Sequence, residues 1–301
     1  MVAFYTSTST QDYMSRSLLV DAAERANHLA YAEQRRAAGL RGRVLRAGES
    51  MAFDVGRGSY LTQVLGFGMK EGSYPRLNSP VPQLIMAPAG AVRTLAEQLR
   101  AIVEFYGAHQ TTAIELSSLA PIEAAQTLVR ASFQPVEHTN LLVLPLDPLE
   151  GLRWDPPDLP DELEIVTIRP QQPGAEPYLQ AVLEGFGIPV DEENLTFQRL
   201  WYSVPGTYPI AVLAADAGRR PVAGGSLYVY GEVALLSGAS TLLAFRNQGI
   251  QRLMIQHRLH FAQQLGCRLA AVLTTPGSTS ENNMRRLGFQ IYASRTKYVR
   301  G

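Results

Sequence analysis

Apolar positions along the chain recur with helical spacing in two long stretches, and each stretch is followed by an apolar run of strand length. The first stretch, residues 92–106, ends at Gly107, and the second, residues 250–265, ends at Gly266. Glycine there is typical of a helix C-terminus, because it adopts the left-handed conformation that stops a helix. A strand, a second helix and a final strand are predicted after each glycine. The repeated order indicates a tandem duplication of one α/β unit, although strand–helix order also recurs by chance.

Segment 146–164, between the two halves, breaks this pattern with prolines, glycines and acidic residues. Because proline fixes φ and lacks a backbone donor, the composition predicts an interdomain linker. We place the boundary near residue 155, which divides the chain into lobes 1–150 and 151–301. Alternating apolar residues between 209 and 241 predict an antiparallel meander that leads into the strand–helix–strand tail. The sequence therefore predicts the α+β class, with two tandem lobes in which helices flank a mixed, mainly antiparallel twisted sheet.

Composition and charge exclude several classes of protein. The 301 residues are 46% apolar and 18% charged, which is typical of a globular protein. Lys and Arg (27) balance Asp and Glu (27), so no overall field favours nucleic acid or an anionic membrane. Cys267 is the only cysteine, which excludes an intrachain disulfide framework and indicates a buried structural thiol. Neither a secretory signal nor an apolar run of about 20 residues is visible, so we expect a cytoplasmic protein.

Candidate chemistry lies at the start of the second long helix, where residues 246–251 read RNQGIQ directly after a predicted strand. The first four amides of a helix have no intrahelical acceptor, and the helix dipole adds about +0.5 charge there. Amides that converge in this way favour a pyrophosphate. Gly249 would let the backbone approach such a ligand closely. Arg246 could pair with a phosphate or direct the turn. The sequence therefore predicts a phosphate-binding turn.

The same residues carry a resemblance to the GCN5-related N-acetyltransferases (GNAT). Arg246 and Gly249 match the Arg/Gln-x-x-Gly-x-Gly/Ala signature, whereas Gln251 replaces its last small residue. The stretches GAST (238–241) and PGSTSENN (276–283) are similar to those of a two-lobed bacterial group whose first lobe has lost the signature. The resemblance implies acyl transfer from acetyl-CoA, without a metal, to a small-molecule or peptide amine in the second lobe. It implies these cofactor-binding residues: Gly238, Ala239, Ser240, Thr241, Leu243, Arg246, Asn247, Gln248, Gly249, Ile250, Gln251 and Asn283.

The resemblance leaves the acid and base open. Many members of the family carry a tyrosine four residues before the glycine of the Gly288-Phe289 step, and here that place is Met284. Tyr292 is a candidate acid and Glu232 a candidate base, with packing and a solvated turn as the alternative interpretations. If neither acts, proximity does much of the work, or the chain is a non-catalytic CoA-binding or interaction protein.

Other patterns predict no further site. The stretch GFGMKEG (66–72) resembles a dinucleotide-binding loop, but the proline-containing segment after it cannot begin the helix that such a loop requires. Pro88 and Gly90 lie where the duplication would place a phosphate-binding turn in the first lobe, without the arginine and glycine pair. His257 and His260 have no carboxylate at ligand spacing and are interpreted as structural. Five aromatic residues favour core packing over an acceptor pocket: Tyr178, Phe186, Phe197, Trp201 and Tyr202.

Overall fold

The computed structural model describes residues 10–56, 59–74, 85–86, 92–107, 110–146, 158–169, 175–215 and 217–301. The helices are α1 Thr10–Ala37, α2 Leu95–Tyr106, α3 Ile122–Arg130, α4 Ala175–Phe186, α5 Glu192–Tyr202, α6 Ile250–Gln264 and α7 Thr279–Arg286. The strands are β1 Arg43–Ala47, β2 Ser50–Asp54, β3 Val64–Leu65, β4 Ile85–Met86, β5 Thr112–Ser117, β6 Gln134–Pro145, β7 Leu163–Thr167, β8 Thr207–Ala214, β9 Arg220–Tyr230, β10 Val233–Thr241, β11 Leu269–Thr274 and β12 Gln290–Arg300. The predicted α+β class is confirmed, as are the helices and strands around Gly107 and Gly266. Most of the predicted linker, together with Pro88 and Gly90, lies outside the described residues.

Backbone contacts group the chain into two units. The first comprises Met1–Arg25, Arg43–Val143 and Leu273–Gly301, and the second comprises Ala26–Gly42 and Leu144–Val272. These units differ from the predicted lobes, because residues 273–301 group with the first half of the chain and residues 26–42 with the second.

In the first unit, the strands lie in the order β4-β1-β2-β3-β5-β12-β6. Strand β12 is antiparallel to both β5 and β6, with Arg295 opposite Ser117 on one side and Thr139 on the other. A core of α2, α3 and the adjacent strands is built from Ile102, Leu128 and Phe133 among others. The pairing of β12 explains why the tail groups with this unit. Local apolar patterns do not specify such long-range pairing, so the sequence did not predict it.

The first unit also buries an ion cluster. Arg295 is 4% exposed, and its guanidinium lies 2.5 Å from Asp21 Oδ1 and 2.6 Å from Glu24 Oε2. Burial by itself lowers the pKa of Arg295, but the carboxylates of Glu24 and Asp21 outweigh burial and raise it. A cavity of about 10 Å³, whose lining includes Asp21, Arg295, Tyr74 and Glu115, has room for about one water molecule.

Helix α1 was not predicted, because its polar side chains are buried along with its apolar ones. Asp21, Glu24, Arg25 and His28 are all buried within this 28-residue helix. Because polar residues also lie on the inward face, apolar residues do not recur at the helical spacing by which an amphipathic helix is recognised. Among the described residues, no helix combines the length and the apolar character needed to cross a membrane.

In the second unit, the strands lie in the order β11-β10-β9-β8-β7. The pairs β7–β8, β8–β9 and β9–β10 are antiparallel, as the meander prediction required, and β10–β11 is parallel. A methyl group added at Gly224 would meet Val182 and Tyr178 of α4, whereas one added at Gly225 would meet Met254 of α6. Since successive strand residues face opposite sides of a sheet, α4 and α6 cover opposite faces.

Candidate functional site

The candidate site begins at a bulge near the end of β10. Parallel pairing with β11 covers only Val233–Leu235, opposite Leu269–Ala271. Farther along, the register between β10 and β9 shifts between Ser237 and Ser240, and Gly238 has a left-handed φ of 59°. A bulge of this kind re-aims backbone groups beside a site.

The turn after β10 brings the backbone to the start of α6. A short 3-10 turn, Leu243–Phe245, is followed by Asn247 with φ 63° and by Gly249 with φ 79°. Gly249 is the N-cap of α6, and its carbonyl accepts a hydrogen bond from Leu253 N at 3.1 Å. A methyl group added to Gly249 would meet nothing within 4 Å, so this stretch of backbone is open to an incoming ligand.

The N-terminus of α6 is electrostatically suited to an anion. Thr94, Asp191 and Ser278 cap α2, α5 and α7 with their side chains, whereas the Gly249 cap of α6 has no side chain to offer. The first turn of α6 contains no acidic residue, and residues 246–249 are exposed. The positive end of the helix dipole is therefore accessible.

Arg246 holds the turn against the end of α4. Its Nε donates to Thr241 O at 3.1 Å, and its Nη2 donates to Gly185 O at 2.8 Å. Ser240 Oγ donates to Val182 O of the same helix at 2.9 Å. Of the two roles that the sequence left open for Arg246, these contacts support directing the turn.

The implied cofactor-binding residues of β10 and the turn fall into two groups. Ser240 and Ile250 are buried, and Thr241 is half-buried. Leu243 is 79% exposed and stands beside the exposed residues 246–249. Residues 238–251 thus form one continuous segment in which buried side chains hold an exposed stretch of backbone in place.

The remaining candidates fall outside this segment of the chain. Asn283, in α7 of the first unit, accepts a hydrogen bond from Arg286 Nη1 at 3.0 Å. Tyr292 is buried in β12 of the same unit, where its ring lies 4.3 Å from that of Tyr13, and burial raises its pKa. Glu232 precedes β10 and lies 3.5 Å from Arg268. Six residues of strand at about 3.3 Å each separate it from Gly238, a distance of about 20 Å, so the structure does not bring Glu232 to the bulge.

Sequence reasoning missed two residues that contact this segment, Gly185 and Arg258, and counted Tyr202 only among the aromatic residues of the core. The buried face of α6 carries Ile250, Met254, Ile255, Arg258, Leu259 and Ala262. The predicted face, Ile250, Leu253, Met254, His257, Phe261 and Leu265, shares Ile250 and Met254 with it. The spacing of four residues from Ile250 to Met254 to Arg258 was a visible signal for a buried arginine. The described residues hold no group of three His, Cys, Asp or Glu side chains that could bind a metal.

Comparison with known proteins identifies the fold. No protein-family model matches the chain, and no curated protein sequence matches it significantly. The structure is similar to a GCN5-related N-acetyltransferase from Kribbella flavida, at a TM-score of 0.58 and 17% identity, over 91% of this chain and 95% of that one. It is also similar to a tandem GNAT protein from the clavulanic acid biosynthesis pathway, at a TM-score of 0.55 and 16% identity, over 83% and 82% of the two chains. A GCN5-related N-acetyltransferase from Sphaerobacter thermophilus matches at a TM-score of 0.50 and 16% identity, over 68% and 64%.

Proposed function

We propose that this chain, which has the tandem fold of GCN5-related N-acetyltransferases, binds acetyl-CoA in its second unit and transfers the acetyl group to an amine. The proposed phosphate site is the start of α6, residues 246–251. The bulge of β10 at Gly238 and Ala239 is the proposed position of the thioester.

One observation carries this proposal, namely the exposed N-terminus of α6 with Gly249 as its cap. The backbone there is open to close approach, and the first turn has no acid that would repel a diphosphate. Arg246 fixes the turn through two carbonyls, so the amides are held in place before a ligand arrives. Such preorganisation lowers the entropy lost on binding.

Acetyl-CoA would supply an activated acyl group as a thioester. The chain's own contribution would be to hold the diphosphate at α6 and to offer a backbone amide of the bulge to the thioester oxygen. When the amine nitrogen bonds to the acyl carbon, the carbon–sulfur bond breaks, so the amine must lose a proton and the departing CoA thiolate must gain one. Glu232 lies too far along β10 from Gly238 to take the amine's proton directly, so solvent is the proposed acceptor.

The test is calorimetric binding of acetyl-CoA to the full chain and to a Gly249→Glu variant. The new carboxylate would occupy the open approach and repel the diphosphate, so we expect affinity to fall by tenfold or more, about 1.4 kcal/mol. Free-thiol release over a panel of amines then measures turnover.

Gly266→Glu is the matched control. Gly266 lies at the other end of α6, with φ 80° and, like Gly249, nothing within 4 Å of an added methyl group. We expect this variant to bind acetyl-CoA like the unmodified chain. Equal affinity of all three proteins would contradict the phosphate site at α6.

A second candidate function is CoA binding without turnover. It is favoured by Met284, which is buried and occupies the place where many relatives of this fold carry a tyrosine. Binding of acetyl-CoA without thiol release above the rate in buffer, for every amine tested, would support this function over transfer.

A further inference from the structure

Arg258 is a fully buried cation without a buried counter-ion. It is 1% exposed, and no carboxylate lies within 4 Å of it among the described residues. Its Nη1 donates to Ser226 O at 3.2 Å and to Ser237 O at 3.4 Å, and its Nε donates to Met254 O at 3.4 Å. Its Nη2 has no hydrogen-bond partner. An unpaired buried charge is destabilising, so its presence calls for a functional explanation.

The other buried guanidinium groups among the described residues, those of Arg25 and Arg295, show the contrast. Arg25 lies 3.9 Å from the buried Glu49. Arg295 in the first unit is paired with Asp21 and Glu24, which raise its pKa. Burial lowers the pKa of Arg258 to about 10, and the phenols of Tyr178 and Tyr202 offset this only in part. Arg295 therefore forms an internally neutralised cluster, whereas no carboxylate among the described residues neutralises Arg258.

Arg258 acts on the bulge through a single peptide group. The Ser237 carbonyl accepts from Arg258 Nη1 and from Ser226 Oγ of β9 at 3.3 Å, so it points toward β9. Because the described peptide bonds are all trans, the Gly238 N–H of the same peptide group points the opposite way. That is the edge of β10 where pairing with β11 has already ended.

Two tyrosines hold this arrangement from the other face of the sheet. Tyr178 donates to Gly225 O at 2.9 Å, and the rings of Tyr178 and Tyr202 lie 5.3 Å apart. A methyl group added to Gly238 would lie 3.0 Å from the Tyr202 hydroxyl. The bulge is therefore fixed between the phenols and the guanidinium.

We propose that Arg258 is a positioning residue for acyl transfer, whose buried charge strengthens the Gly238 N–H as a donor and stabilises negative charge on the acyl oxygen bound there. Hydrogen bonds in series polarise one another, and a charge in a dry interior acts over longer distances than in water. The inference rests on the proposed function. It assigns a role to Arg258, which lies outside the phosphate-binding turn and would act on the thioester through the Ser237–Gly238 peptide group.

The test uses acetyl-CoA labelled with ¹³C at the thioester carbonyl and isotope-edited infrared spectroscopy of the bound ligand. Polarisation by Arg258 should lower the carbonyl frequency below that of free acetyl-CoA, and an Arg258→Met variant should return it toward the free value. Binding affinity should change by less than about threefold, because ground-state binding depends mainly on the distant diphosphate. Turnover with an amine found in the panel should fall by about 10- to 100-fold, somewhat less than the loss of a direct oxyanion donor.

Met254→Leu is the control, because it changes the same buried face of α6 without altering charge. It should keep the infrared band of the unmodified chain. If the bands of the Arg258→Met variant and the unmodified chain coincide while both bind acetyl-CoA, the inference is wrong and the proposed function stands. If the unmodified chain does not bind acetyl-CoA, both are wrong.

An Arg258→Lys variant decides the question if the methionine variant does not fold. Burial lowers the pKa of Arg258 and would likewise lower that of a lysine in its place, whose ordinary pKa of about 10.4 is already the lower of the two. We therefore expect the shifted band to be lost as the pH rises from 7 to 10 in this variant alone. The other facing groups do not titrate in that window, because burial lowers the pKa of His257 from 6.5 and raises the pKa of Tyr178 and Tyr202 above 10. A band that is independent of pH in the lysine variant would overturn the inference.

Discussion

At the scale of single residues, Gly185 shows how a missing side chain supports the candidate site. It lies within α4, and a methyl group there would be 2.5 Å from Ser240 Oγ and 3.2 Å from Thr241 N. This close approach lets the Gly185 carbonyl accept from Arg246. Glycine normally weakens a helix, so its use here reflects contact with β10.

We predict that Gly185→Ala lowers the free energy of unfolding by about 1–3 kcal/mol, because overpacking outweighs the gain in helix propensity. Urea unfolding measures the change. Ser240→Gly removes the Oγ and Cβ atoms that the new methyl group would approach most closely, at 2.5 and 2.8 Å, so the double variant should lose less than the sum of the two single variants. Simple additivity would show that the two positions do not contact each other.

Some residues of the candidate site could be predicted from sequence patterns, and others could not. Gly249 was predictable because a glycine that opens a helix after a strand has a recognisable local context. Arg258 and Gly185 were not predicted, because their roles depend on Ser237 and Ser240, which are distant along the chain. Tyr202 was counted among aromatic residues at helical spacing, and the structure indeed buries it in the core.

At the scale of elements, residues 242–249 form a turn held by side chain to backbone bonds. Arg246 makes two of these, and Gln248 Nε2 donates to Ala244 O at 3.2 Å. Since Asn247 and Gly249 both have positive φ, the turn depends on these bonds to remain in a conformation that few residues adopt.

Arg246→Ala should lower stability by about 1–2 kcal/mol, through the loss of two hydrogen bonds. It should also weaken acetyl-CoA binding, because the amides of α6 lose their fixed orientation. Arg252→Ala, which removes an equal charge from the exposed side of the first turn, is the control. Thermal unfolding and calorimetry of both variants measure the effects, and equal losses would mean that charge alone matters.

The elements themselves were predicted well where periodicity was strong, as in α2, α6 and the meander from β8 to β10. Helix α1 was missed because buried carboxylates and an arginine interrupt the helical spacing of its apolar residues. Strand β12 was predicted as a strand, but its pairing with β5 and β6 was not, because pairing partners are set by tertiary contacts.

At the scale of the whole molecule, the first unit is completed by the tail of the chain. Strand β12 contributes Arg295 to the buried cluster and pairs along its length with β5 and β6. A fragment of residues 1–150 would leave Asp21 and Glu24 without their guanidinium, and β5 without an antiparallel neighbour. Buried carboxylates that lose their partner are strongly destabilising.

We expect fragment 1–150 to unfold in urea without a cooperative transition, and addition of a peptide of residues 273–301 to restore one. The same peptide with Arg295→Met should restore it less well, because it supplies the strand without the charge. Circular dichroism measures both. An equally cooperative transition with and without the peptide would show that β12 is dispensable for this unit.

The position of β12 in the sequence also determines when the first unit can complete its fold during translation. A ribosome produces β5 and β6 well before β12, and the entire second half of the chain is translated in the interval. Until then, the nascent polypeptide displays two unsatisfied strand edges and a pair of burial-prone carboxylates, a state open to intermolecular pairing. Maturation of the first-made half therefore waits until β12 has been synthesised.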